Sequence, residues 1–370
     1  MLTVMQLLPA LNVGGVERGT VEIARALVEA GHRSIVVSAG GQLVEELGHL
    51  GARHIEIPIG RKRLSTLRYV SRLREICRSE KVDIVHARSR LPAWIGYRAI
   101  NAMAPAERPH WVTTVHGPYT VNFYSRIMTS GERVIAISKF IRDYITKNYP
   151  SVPPENIHVI ARGVDRAEYA HDFIPAPGWL AQWHTQNPQF AHRKLLVLPG
   201  RMTRWKGQTE FIEMIAALVR QGVNVHGVVA GGAPPRRKSF DIELRQLVSN
   251  LGIEERVSFV GKRDDLREIL ASADIAYSMT IEPEAFGRTT LEALSVGTPV
   301  IGYDHGGTGE ILREVLPIGL ITPRSVTEAV DATIQFLGKP VSVPKVHRFT
   351  LSKMRQGTIE VYESLGPKPG

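Results

Sequence analysis

Short apolar runs alternate along this chain with longer stretches in which apolar residues recur every three or four positions. In the first half the short runs predict strands over 4–8, 34–37, 83–86, 111–115 and 134–137. The longer stretches predict helices over 16–30, 64–79, 92–103 and 139–148. The apolar runs show little internal alternation, as expected of strands buried on both faces. Such strands separated by helices imply a parallel sheet with helices on either side.

The pattern breaks over 166–190, where Pro175, Pro177, Gly178 and a polar run from Gln182 to Phe190 read as a linker or irregular crossover. It resumes with strands over 195–199, 225–230, 257–260, 275–277 and 299–302. Helices fit 208–221, 242–251 and 264–272, with another entered from the stretch 284–292. Leu351, Met354, Ile359 and Tyr362 place a last helix over 348–362, and the end at 366–370 reads as frayed. The expected fold is α/β, with two doubly wound Rossmann-like domains of similar plan. The first covers 1–175 and the second 190–345, with a C-terminal helical segment over 346–370. Length supports the division, because 370 residues exceed what one core usually covers. In such folds ligands lie beyond the carboxyl ends of the strands.

An apolar fraction of 43% and a charged fraction of 22% are those of an ordinary soluble globular protein. Cys77 stands alone within a helical pattern, which reads as a small core residue and fits a reducing compartment. The start lacks a basic leader with a cleavage site, and no apolar run approaches the ~20 residues that span a bilayer, so a cytoplasmic location is expected. The net charge of +10 is unevenly placed. Ten Lys and Arg, from Arg61 to Arg90, face only Glu75, Glu80 and Asp83 over the same stretch. A solvated face, nucleic acid, an anionic membrane surface and an anionic acceptor are the readings open to such a run. No zinc spacing, recognition-helix pattern or aromatic-basic RNA signature accompanies it, so a nucleic-acid partner is not expected.

Several loops carry candidate chemistry. The stretch from Glu284 through Phe286, Gly287 and Arg288 to Glu292 begins in a loop and enters a short helix. Glu284 is then free to curl over a helix start whose amides suit an anion. Gly14 and Gly15 follow the first strand and open the first long helix, leaving amides free for phosphate oxygens. They do not form Gly-x-Gly-x-x-Gly, so a nicotinamide-type fingerprint is absent. Arg201 and Lys206, five residues apart on a loop at a strand end, suit the two phosphates of a diphosphate. His116 closes the strand over 111–115, and His86 stands at another strand end ahead of Arg88 and Arg90. There is no Asp-x-Asp, so no metal is expected through that motif. The phosphate-binding loop of NTPases and the serine nucleophile elbow are also absent.

Taken together, Glu284-x7-Glu292 followed by Gly297-Thr298-Pro299-Val300-Ile301, the Gly200-Arg201 and Lys206-Gly207 pairs, Val257 to Gly261, Gly14-Gly15, and Arg162-Gly163-Val164-Asp165 resemble the retaining glycosyltransferases of the GT4 family. The resemblance spans almost the whole chain and implies the GT-B fold, with two Rossmann-like domains facing a central cleft. The family usually has Asn where this chain has Arg162. The resemblance implies that Arg201, Lys206, Gly15 and the amides near Gly287 grip the diphosphate of a UDP- or GDP-linked sugar. It further implies that Glu292 binds the ribose, the backbone at Gly261 and Lys262 the base, and Glu284 the transferred sugar. Gly14, Phe286 and Arg288 join this donor side. His116 would lie near the reacting sugar, with Arg88 and Arg90 as further acceptor-side candidates, and the last helix would cross back onto the first domain.

The expected activity is metal-independent transfer of a hexosyl group to a membrane-associated glycolipid or oligosaccharide. No cofactor is expected beyond the donor. Lipopolysaccharide core assembly on the inner face of a bacterial membrane is the expected setting, with the protein peripheral on that anionic surface. Cations and helix amides would stabilise the charge growing on the departing diphosphate, with front-face attack on an oxocarbenium-like centre. A nucleotide-sugar epimerase of the same fold and a non-catalytic basic binding protein are the alternatives.

Overall fold

The computed structural model describes residues 1–12, 14–232 and 238–367. They form two compact units, one of Met1–Ala161 with Ser352–Gly370 and the other of Arg162–Leu351.

The first unit is built on a parallel sheet of β1 (Thr3–Leu7), β2 (Arg33–Ser38), β3 (Arg53–Glu56), β4 (Ile84–Ala87), β5 (His110–Val115), β6 (Arg133–Ala136) and β7 (Ile157–Val159). Their order is β3-β2-β1-β4-β5-β6-β7, so the winding reverses between β1 and β4, where Met5 lies opposite Val85. The central strands are buried along their length, which is why their sequences read as unbroken apolar runs. The edge strands β3 and β7 mix polar and apolar residues and were not predicted. The basic stretch begins as a tight 3-10 turn, Leu64–Arg68, before the helix Tyr69–Ser79. Cys77 is buried there, and burial pushes its thiol up to about 12. The last helix, Leu351–Glu363, lies mostly within this unit. Its Tyr362 is wholly buried, with the hydroxyl 2.6 Å from His86 Nδ1, while His86 Nε2 lies 2.6 Å from Thr114 Oγ1.

The second unit repeats the plan with β8 (Lys194–Pro199), β9 (Val225–Ala230), β10 (Val257–Phe259), β11 (Ile275–Ser278), β12 (Val300–Tyr303) and β13 (Leu320–Ile321). The order β10-β9-β8-β11-β12-β13 matches the first six strands of the other sheet and reverses between β8 and β11. Two expectations are corrected here. The segment read as a linker contains the helix Pro177–Gln186, held by Trp183, which is buried against Trp179 and Phe190. Residues 162–175 belong to the second unit and not the first, because Val164 pairs with the returning chain. Its amide donates to Phe349 O and its carbonyl accepts from Leu351 N.

Candidate active site

In the second unit, the loops leaving β8 and β11 meet where the winding reverses. Gly207 makes this possible. It is left-handed (φ 78°) and caps the helix Gln208–Arg220, and a Cβ there would fall 1.9 Å from Met279 O. A bond from Ile281 N to Trp205 O, 2.8 Å, ties the loops together. Gly287 is likewise left-handed (φ 88°) and caps the helix Arg288–Ser295. The helix Gly306–Val315 adds a second clamp, with Gly307 N donating to Glu284 O at 2.7 Å.

Glu284 thus lies in the loop and Glu292 in the helix, in different settings. Lys206 donates to Glu284 Oε1, and both side chains are largely buried. The Lys206 ammonium sits 4.5 Å from the Trp205 ring centroid. Burial pushes it down to about 8, Arg201 adds to the effect, and the carboxylate against it pulls the other way. Arg201 is exposed and makes no ion pair among the described residues. Arg204 is committed elsewhere, 2.6 Å from Glu243 and over the Phe240 ring.

Glu292 is only 6% exposed. Arg288 Nε donates to its Oε1 at 2.8 Å. Burial raises the Glu292 carboxyl, while Arg288 and Tyr169 favour its ionised form. Tyr169 also lines a cavity of about 500 Å³ with Glu168, Lys262, Arg263, Asp265 and Leu266. Gly261, in a left-handed turn, leads into that wall, and Asp265 is held by Arg263 (2.6 Å) and Trp179 Nε1 (2.7 Å). Sequence reasoning missed Tyr169, Arg263 and Trp179. Their segments carry no phosphate or sugar signature, and only the fold brings them together. The Phe286 ring is buried and packs edge-on to Phe349.

In the first unit, Gly14 and Gly15 do start the helix Gly15–Glu29, but the Glu17 carboxylate curls back to Gly14. His116 follows β5, half-buried, with its amide donating to the Tyr119 hydroxyl at 3.2 Å. Arg90 lies over the rings of Tyr119 and Tyr124, with Nη1 3.2 Å from Ser125 Oγ. Arg88 is corrected. It is 3% exposed, donates to Gln6 Oε1 at 3.0 Å, and is an interior cation of this unit. Among the described residues no cluster of His, Cys, Asp or Glu could hold a metal, and no helix is long and apolar enough to cross a membrane.

Residues 13–168 match the Glycosyltransferase Family 4 domain and residues 181–351 the Glycosyl transferases group 1 domain. The N-acetyl-alpha-D-glucosaminyl L-malate synthase of Bacillus anthracis is 25% identical over 95% of this chain and 91% of its own length. A glycosyltransferase structure from Rickettsia africae superposes with a TM-score of 0.86, 29% identity and 98% of each chain covered. Anabaena Alr3699/HepE, solved in complex with UDP and glucose, gives a TM-score of 0.80 at 21% identity over 98% of this chain and 100% of its own, a likeness of fold. The two sheets, their shared strand order and these matches over both halves agree: the chain belongs to the GT4-type glycosyltransferases and has their two-unit GT-B fold.

Proposed function

We propose that this glycosyltransferase moves a hexosyl group from a nucleoside diphosphate sugar to a membrane-associated glycan or glycolipid, with retention and without a metal ion. One observation carries the reading. At the winding reversal of the second unit, Arg201, Lys206, Glu284 and the start of the helix Arg288–Ser295 come from loops at strand ends, and the same unit holds a cavity of about 500 Å³ lined by Tyr169, Lys262 and Arg263. Arg201, Lys206 and the helix amides take the charge that grows on the leaving diphosphate. Glu284 accepts hydroxyls of the sugar that moves, and Glu292 those of the ribose that stays. Among the described residues, the second unit offers Glu284 beside the leaving-group cations, without a second carboxylate at that contact. Front-face attack, in which the leaving phosphate oxygen takes the acceptor proton, therefore fits better than double displacement.

The acceptor side of the reading rests on the first unit. Val121 and Phe123 are exposed, at 51% and 77%, and Phe123 leans on Trp94 near Arg90. Together with exposed Arg61, Lys62, Arg63 and Arg68, these side chains suit an anionic, lipid-linked acceptor such as a lipopolysaccharide core, with the protein peripheral on the membrane that carries it. The test is a thermal-stabilisation panel of UDP, GDP and their sugars, followed by turnover with the best donor and analysis of the product anomer. Stabilisation by neither nucleotide overturns the donor reading. An inverted product, or a covalent glycosyl-enzyme trapped at Glu284, overturns the mechanism. Epimerised sugar from donor alone favours the epimerase.

A further inference from the structure

We propose that Thr308 is a positioning residue for the donor's diphosphate. Its hydroxyl pins the start of the helix Arg288–Ser295 to the end of β11, and so aims the free amides of that first turn at the phosphate next to the transferred sugar. This inference rests on the donor reading above.

The ground for it is a buried hydroxyl that three elements share. Thr308 lies in the first turn of the helix Gly306–Val315. Its Oγ1 is 3.0 Å from Ser278 Oγ, at the end of β11. The same atom is 3.5 Å from Thr290 Oγ1, in the first turn of the helix Arg288–Ser295. All three side chains are buried, so water does not stand in for a lost partner. Thr308 Oγ1 also packs on the residue that caps the helix, since a Cβ at Gly287 would fall 2.9 Å from it. The Thr308 methyl rests against β12, 2.9 Å from where a Cβ at Gly302 would stand. A hydroxyl carries one proton and two acceptor positions, so Thr308 can donate to one neighbour and accept from the other. An eight-residue helix is too short to hold its own direction, which is set by what it packs against. Its first amides have no partner within the helix and no side-chain cap, and they serve an anion only where they point at it. Neither Arg201 nor Lys206 takes part in these contacts, so the hydroxyl acts through the placement of the helix and not through charge.

The test measures, by calorimetry on the full chain, the binding of UMP, UDP, GMP and GDP to the parent, Thr308→Val, Thr308→Ser and Ser278→Ala, with a melting temperature for each. The parent should bind the diphosphate of its preferred base more tightly than the monophosphate. Thr308→Val keeps the shape and removes the hydroxyl. It should lose about fivefold in diphosphate affinity, the scale of an anion's contact with a helix start, while monophosphate affinity stays within about twofold. Thr308→Ser keeps the hydroxyl and should retain the parent's ratio. Ser278→Ala withdraws the hydroxyl's partner and should lower the ratio as Thr308→Val does, so the ratio is still read where Thr308→Val fails to fold. A merely structural threonine would lower the melting temperature and both affinities alike, leaving the ratio intact. A parent-like ratio in Thr308→Val, or in Ser278→Ala where only that variant folds, overturns this inference and leaves the donor reading standing. A lowered ratio in Thr308→Ser would trace the effect to the methyl against Gly302 and overturns it as well. Equal binding of monophosphate and diphosphate by the parent overturns the placement of the diphosphate at this helix, and this inference with it. No binding of any of the four nucleotides overturns the donor reading itself.

Discussion

Lys206 and Glu284 share a buried contact, and a diphosphate can take the ammonium only by competing with the carboxylate. Two outcomes follow. With its pKa lowered to about 8 in the free protein, Lys206 is charged below that pH, and an anionic donor binds without proton uptake. Above pH 8 the ammonium must first regain its proton, so donor affinity should fall by up to about tenfold per pH unit until the bound-state pKa is reached. Calorimetric titration of a nucleotide sugar between pH 7 and 10 reads this directly, and Lys206→Ala should flatten the profile. Glu284→Gln removes the competing charge, so it should bind the free nucleoside diphosphate more tightly than the parent while transferring sugar far more slowly. Loss of Arg201, which no carboxylate holds among the described residues, should cost about 10²–10³ in turnover, the usual effect of deleting one preplaced charge-stabilising donor. Equal turnover in Arg201→Ala would show that the diphosphate lies elsewhere.

One glycine, Gly207, decides how the site's loops meet. Gly207 combines a left-handed backbone with a carbonyl 1.9 Å from any Cβ, so Gly207→Ala is strained twice. We expect it to lower stability by about 2–4 kcal/mol and to depress nucleotide binding in whatever folds, measured by urea denaturation with and without ligand. Gly222, also left-handed but with open space around it, is the control, and its alanine should cost about 1 kcal/mol. Elements like these mark what the sequence made legible. Central strands and long helices were readable because burial on both faces or on one stripe leaves a plain apolar period. Edge strands β3, β7 and β13 were not, since short half-exposed strands carry mixed residues. The helix Pro177–Gln186 was hidden by its prolines and glutamines. Its reason for forming is tertiary: Trp183 packing and the Trp179–Asp265 bond. The same reason hid Tyr169, whereas Arg201, Lys206, Glu284 and Glu292 became candidates through the resemblance to the GT4 family, which their loop positions alone did not decide.

The chain enters the second unit at Arg162 and returns at Ser352, so the first unit is completed only by residues that follow the whole of the second. Met354, Thr358, Val361 and Tyr362 are all buried, and Tyr362 reaches the inner polar group of His86 and Thr114. Arg88, an interior cation whose guanidinium is lowered by burial, also feels the Tyr362 hydroxyl. The first sheet alone would leave this apolar and polar surface open to water. A chain ending at Leu351 should therefore lose protection across β1 and β4 while β8 and β11 keep theirs, which hydrogen exchange followed by strand can resolve. The milder change, Tyr362→Phe, keeps the packing and removes only the hydroxyl from His86. It should cost about 1–3 kcal/mol, the range for a buried hydrogen-bond partner withdrawn. Because the helix packs on the first unit and the proposed nucleotide cavity belongs to the second, Tyr362→Phe should leave the affinity for UDP or GDP unchanged while lowering the protection of β1 and β4. Weakened nucleotide binding in that variant, with exchange at β1 and β4 unaltered, would mean that the helix serves the donor site and not the first core.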